Sequence, residues 1–444
     1  MAFEFTIKQE TADNILKLTE EVKNFENHAV LQGNDKNAII NKNINGKVPK
    51  TSLDDRLCNI SEKQTKKGDN VDKSQMKSNI GSDQKIDINN YKGISITEDF
   101  REKYKEYLDD ENLKEIEKSN VPEENYEKLK IIDIKDSGVE GGAVIEWKDG
   151  KKYMLKGLYK EKGKYLYKPN AKNRVKAFFT RKGIDGINKS VIEEYVALKL
   201  ANVVYKGISP DVKLGKIEHK DDKGGDCKYQ YCLMTEMAVQ KKEEGEFSTL
   251  EKFFEENPST NKTKLNEGTE NRPIPSEELW QNAFAVSVCL LNDRDVNKAD
   301  NIGVVYKNGE ATNLSLFDLG HPTPDKYELD PKTLLPKSMN ILERVALWVI
   351  NLFVKTKGWQ FKIDENIRSQ FGESKDRADA IRNLFDKKDK IIGELEKIAK
   401  EFGESSIENA QVIRFKEKIK NRFRQLKEVL VEYDRCIRIQ IQAC

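Results

Sequence analysis

The chain has 444 residues, of which 37% are hydrophobic and 35% charged, and its formal net charge is +2. A balance this even carries no global nucleic-acid signature, and the length predicts two to three structural units. Six scattered cysteines, three histidines and no G-x-S-x-G string argue against a disulfide scaffold, a histidine zinc centre and the usual serine-hydrolase elbow.

The opening M-A-F-E-F-T-I-K-Q-E lacks the basic, apolar and small-residue succession of a secretory signal. Ile15, Leu16, Leu18 and Val22 fall at helical spacing and predict a short amphipathic helix over about Glu10 to Phe25. From about Asn34 to Lys92, Lys, Asn, Asp and Ser dominate. That composition buries too little apolar surface to offset ordering entropy, so residues 1–110 are expected to form a largely disordered region around the one helix.

From Ile131 the order is apolar run, glycine cluster (Gly138, Gly141, Gly142), apolar run, Asp149-Gly150, apolar run. It reads as strand, loop, strand, tight two-residue hairpin, strand. Glycines between the first two strands let backbone N–H groups approach an anion that any Cβ would hold away. Lys156 follows in the third run, and Lys168 follows a fourth. Between Lys168 and Lys182, cations surround Phe178 and Phe179. Such a cluster suits an anionic membrane surface or an inositol-phosphate headgroup, or else it is a solvated insert.

Ser190, three residues before Glu193, reads as a capping box opening a helix with Val191, Tyr195, Leu198 and Val203 on one stripe. Two strands are expected after Pro210, the second running into Met234 and Met237. Proline punctuation follows His321. Asn340 to Val354 then reads as a buried helix too short to span a membrane. Asp376 to Phe402 and Ile407 to Gln440 read as amphipathic helices, with Arg414 to Arg424 a solvated basic face.

The stretch from Cys289 to Pro322 carries the chemistry. Asp293, Asp295, Asp300 and Asn301 precede a strand-like run, Ile302 to Tyr306. A turn at Lys307 to Gly309 leads to a second run ending in Phe317-Asp318-Leu319-Gly320. Phosphoryl transfer needs this grouping: one carboxylate orients the attacking hydroxyl, while an amide and a second carboxylate hold the metal ions that neutralise the phosphates. Asp, Asn and Gly are also the commonest turn residues, so each half alone reads as an ordinary loop.

D-R-D, D-N-I-G-V and F-D-L-G-H resemble the catalytic and metal-binding loops of the phosphatidylinositol 3-/4-kinase-like superfamily, and less closely those of protein kinases. The resemblance implies an α+β, bilobal protein-kinase-like fold. Its β-rich small lobe would span 111–240, its mainly helical large lobe 241–355 and its C-terminal helices 356–444. It implies ATP and Mg2+ as cofactors, Asp295 as catalytic carboxylate, Asn301 and Asp318 as metal ligands, and Gly320 freeing the backbone behind Asp318. The family places its amide closer to the catalytic carboxylate than Asn301 stands to Asp295 or Asp293. Three readings follow: an inserted residue, Asp293 as the base, or Asp300 as ligand in place of the amide.

By the same resemblance Lys156, or alternatively Lys168, holds the phosphates beside Gly138, Gly141 and Gly142. Glu193 or Glu194 pairs with that lysine, Glu194 being favoured because Glu193 suits the cap. Backbone near Thr235 to Met237 meets the adenine edge, with Met234 or Met237 padding the ring. The implied acceptor is a phosphoinositide of a host membrane. An atypical protein Ser/Thr kinase and a catalytically silent kinase-fold scaffold are the alternatives. Unpaired cysteines fit the cytoplasm. The Lys-, Asn- and Ile-rich composition resembles bacterial effectors that reach the host cytosol without a cleavable signal.

Overall fold

The computed structural model describes residues 4–44, 85–109, 129–134, 141–158, 184–218, 229–240, 245–250, 252, 275–293, 301–308, 310–320, 322, 324, 328–336, 365–404 and 406–443. The fold is α+β, with one mixed sheet and one antiparallel sheet. The mixed sheet comprises β1 (Phe5–Lys8), β2 (Ile94–Ile96), β3 (Leu129–Ile134), β4 (Gly141–Glu146), β5 (Lys152–Leu158), β6 (Val212–Glu218) and β7 (Tyr229–Glu236). Their order is β1-β6-β7-β5-β4-β3-β2. The five central strands are antiparallel neighbours, and β1 and β2 each add an edge in parallel.

Both edge strands come from the segment before residue 110, so the unit boundary expected there falls inside the sheet. The disorder expected over 1–110 does not hold for α1 (Gln9–Ile44) or residues 85–109, which are folded, while 45–84 lie outside the described residues. Ile15, Leu16, Leu18 and Val22 of α1 are buried as their spacing predicts, against Ile86, Ile88, Tyr91, Phe100 and Tyr104 and one face of the sheet. The average composition of 34–92 hid three of these apolar anchors, Ile86, Ile88 and Tyr91. Each is worth about 1.5–3 kcal/mol when fully buried. Gly215 of β6 admits β1: a Cβ there would lie 2.1 Å from the Phe5 ring.

Alternation along the strands divides two cores. Tyr153, Leu155, Ile145, Cys232 and Met234 face α1. Leu214, Tyr231 and Leu233 face the other way, onto α3 (Ile184–Val204; α2 is Glu98–Lys103). α3 buries residues all around its axis, including Val191, Ile192, Tyr195, Val196, Ala197 and Leu198, because elements pack on both its sides. The capping box at Ser190 does not form: the helix has begun six residues earlier, at Ile184, so Ser190 is interior.

The second core continues beneath the smaller sheet, ordered β10-β9-β8, with β8 at Glu246–Thr249, β9 at Ile302–Lys307 and β10 at Glu310–Leu316. Helices α4 (Glu277–Phe284), α5 (Glu365–Gln370), α6 (Ser374–Phe385), α7 (Lys388–Glu401) and α8 (Ile407–Ala443) complete the described elements. α7 and α8 close over the outer side of α3. No described helix is long and apolar enough to cross a membrane. The expected helix at Asn340 to Val354 and the basic segment Lys168 to Lys182 lie outside the described residues.

Candidate active site

Three side chains far apart in sequence meet where β5, α3 and the end of β10 converge. The Lys156 ammonium lies 3.0 Å from Oε1 of Glu194 and 3.7 Å from Oδ1 of Asp318. It also donates to the Phe317 carbonyl at 3.2 Å. Lys156 and Glu194 are buried, their side chains 8% and 7% exposed, whereas that of Asp318 is 43% exposed. A lysine buried this deeply needs a charged, hydrogen-bonded partner to remain ionised at modest cost, and Glu194 supplies it.

Local backbone aims the lysine. Its neighbours across the sheet are Gly142 on β4 and Leu233 on β7. Pairing slips between Gly141 and Gly142, and Gly157 takes a positive φ of 83°, forming a bulge just past Lys156. A Cβ on Gly157 would come within 3.2 Å of the Tyr231 carbonyl and of Val191, so the glycine also lets α3 approach the strand. Helical phase then puts Glu194 one turn on from Val191, facing Lys156, with Glu193 half-buried. Glu194 is thus the carboxylate paired with Lys156, although no cap at Ser190 selects it.

Gly141 and Gly142 stand in β4 beside Lys156 rather than in the loop, and Gly138 lies outside the described residues, as does Lys168. The Asp149-Gly150 turn is longer than expected. Trp147 N–H donates to the Lys151 carbonyl and Gly150, at φ 74°, closes on the Trp147 carbonyl, giving a three-residue connection with a left-handed glycine.

On the smaller sheet Ile302 pairs with Leu316, so Asn301 and Asp318 leave the same end of the β9–β10 hairpin. Asn301 is buried. Both offer oxygen donors of the hard kind that suit a magnesium ion sharing its shell with phosphate. Gly320 is not at positive φ. A Cβ there would meet Asp318 Oδ1 at 3.5 Å and Glu194 Oε2 at 3.7 Å, ordinary contacts, so its freedom is not what the backbone requires. Phe317 sets its ring edge-on to Phe247, centroids 5.6 Å apart.

Asp293 is 2% exposed and its N–H donates to the Ser287 carbonyl at 2.9 Å. Asn292 before it adopts φ 47°, the left-handed turn that ends a helix. Asp295 and Asp300 lie outside the described residues.

The expected adenine contacts fare less well. Met234 is fully buried in the α1-side core, on the sheet face opposite Lys156. The Met237 N–H is taken by the Lys152 carbonyl at 2.9 Å, and its own carbonyl accepts from Gln240 Nε2 at 3.0 Å. Both backbone groups of Met237 therefore serve the chain itself. Thr235, whose hydroxyl donates to the Met154 carbonyl, shares the Lys156 face by alternation. Sequence reasoning missed the Phe317 carbonyl, which no side-chain pattern marks. It also missed Asn292, although an Asn after an apolar helical run is a known stop signal.

No protein-family model matches the chain, and no curated protein matches it.

Proposed function

We propose that the chain is an ATP- and magnesium-dependent kinase of protein-kinase-like, bilobal architecture. In this reading the seven-stranded sheet with α3 is the small lobe, and the β8–β10 sheet with the following helices is the large one. One observation carries the reading: Lys156, Glu194 and Asp318, separated by up to 162 positions, converge within 3.7 Å. A buried, carboxylate-held lysine beside a half-exposed carboxylate is what positioning a polyphosphate and its metal requires.

Lys156 would bind and orient phosphate oxygens, with Glu194 fixing the ammonium in place. Asp318 and Asn301 would hold Mg2+, which when bound supplies charge neutralisation to the phosphates. Their common origin at one hairpin end fits that donor set. Asp293 or Asp295 would accept the proton of the attacking hydroxyl, and Asp300 is the alternative ligand to Asn301. A phosphoinositide acceptor rests on the family resemblance of D-N-I-G and F-D-L-G-H, and the Lys168 to Lys182 cations suit such a headgroup.

Magnesium-dependent consumption of ATP by the purified full chain tests the reading, with Lys156→Met and Asp318→Asn as controls. No consumption above those variants in the presence of lipid and protein acceptors rejects catalysis and leaves a nucleotide-binding scaffold as the successor. Labelled ATP offered with phosphoinositide vesicles and with protein separates the acceptors: label found only in protein rejects the lipid. Asp293→Asn and Asp295→Asn, run in parallel, assign the base.

A further inference from the structure

The last carbonyls of a helix have no partner within it, and those at the C-terminal end of α4 find theirs elsewhere. α4 continues into one π turn, Ala285–Leu290, an irregularity that occurs often at functional sites. There the Val286 carbonyl accepts from Leu291 N–H and the Ser287 carbonyl from Asp293 N–H, both at 2.9 Å. The next two carbonyls are met from 134 and 133 residues away. Arg422 of α8 donates Nε to the Cys289 carbonyl at 2.6 Å and Nη2 to the Val288 carbonyl at 3.0 Å. Its Nη1 donates to Gln425 Oε1 at 3.3 Å.

Arg422 is fully buried, although the basic run Arg414 to Arg424 reads as a solvated face. A buried guanidinium is costly unless its fork is matched by acceptors, and the negative end of a helix is a favourable place for the charge. Burial lowers its pKa to about 10, so it stays charged at neutral pH, while burial pushes the neighbouring Cys289 thiol up to about 12, so that thiol is neutral there.

We propose that Arg422 is a positioning residue: by gripping the Val288 and Cys289 carbonyls it sets where the π turn after α4 stops, and so where Asp293 stands. Its role in turnover rests on the kinase reading, whereas its hold on the Asp293 segment does not. Lysine at this position keeps the charge but offers one head in place of the two-point fork.

Full-chain Arg422→Met and Arg422→Lys are compared with Leu426→Ala, a packing change at a fully buried residue on the same helix. Amide exchange over residues 286–293 is expected to quicken about 10-fold or more in Arg422→Met, less in Arg422→Lys, and no more than the rest of the chain in Leu426→Ala. In the kinase assay kcat is expected to fall about 10- to 100-fold in Arg422→Met with the KM for ATP within about 2-fold, and Arg422→Lys to recover part of the loss. Should Arg422→Met fail to fold, Arg422→Lys carries both measurements. Exchange that rises uniformly, or to the same degree in Leu426→Ala, overturns the proposal, as does a kcat no lower than that of Leu426→Ala. A wild-type chain that turns over no ATP refutes the kinase reading, and the exchange result still decides the grip of Arg422.

Discussion

β5 carries two lysine–carboxylate clusters' worth of contrast within a few residues. At its start, Asp149 accepts from Lys213 at 2.9 Å, from the Tyr153 hydroxyl at 2.7 Å and from the Lys151 N–H at 3.1 Å. Lys213 lies 4.5 Å from the Tyr153 ring centroid. Every strong group there has a short bond to another, with Tyr153 buried and Asp149 and Lys213 partly exposed. Towards its end, Lys156 is buried with Glu194, yet Asp318 stands at 3.7 Å and nearly half exposed. The first arrangement is saturated and pins a hairpin. The second leaves a carboxylate open to solvent beside a fixed cation, which is what the proposed phosphate and metal site would need.

Substitutions in each cluster test that contrast. The largest effect is expected on turnover: Lys156→Met and Asp318→Asn should each lower magnesium-dependent ATP consumption by about 100-fold or more, the scale for losing one preorganised electrostatic contact. Asp149→Asn and Lys213→Ala should leave it unchanged, and equal losses in both clusters would erase the distinction. Next in size is stability. Glu194→Ala strands the buried Lys156 ammonium and should cost about 3–5 kcal/mol in urea unfolding, while the pair Lys156→Met with Glu194→Leu should recover most of that without recovering turnover. Asp318→Asn should change unfolding by less than about 0.5 kcal/mol, since its carboxylate is the exposed member.

The smallest effect belongs to the hairpin, where Lys213→Ala should cost about 0.2–1 kcal/mol. It has a pH signature. Burial raises the Asp149 carboxyl, but the bonds from Lys213, Tyr153 and the Lys151 amide outweigh it and bring it to about 2, below its ordinary 3.8. A folded-state value below the unfolded one stabilises at pH above the unfolded value, and the gain disappears as pH falls through the folded one. The unfolding difference between wild type and Asp149→Asn should therefore hold at pH 7 and shrink between about pH 4 and pH 2. A difference that grows with acid would contradict the assignment.

Much of this was readable in the residues. Alternating apolar runs and turn residues located β3 to β5 and the β9–β10 hairpin, and these strands deliver Lys156 and Asp318 as expected. Glu194 was reachable because helical phase, set by Val191 and Leu198, is robust even when the start of the helix is misjudged. The rest depended on tertiary context. Four residues of β1 are too few to signal a strand without the groove that Gly215 opens. Carbonyl acceptors such as those of Phe317, Val288 and Cys289 leave no trace in side-chain pattern. Arg422 sits among exposed cations that look the same in one dimension, and only packing against α4 singles it out.

α3 is held along both flanks and at its far end. The Lys387 ammonium donates to the Val204 carbonyl at 2.5 Å and lies 3.6 Å from the Tyr205 ring centroid. The Tyr231 hydroxyl donates to Glu408 of α8 at 2.5 Å, tying the sheet to the helices that cover α3. A rocking motion that carried Glu194 outward would have to lift two helices off a continuous apolar seam. The position of the Lys156–Glu194 pair is therefore mechanically coupled to the packing of the C-terminal helices on α3.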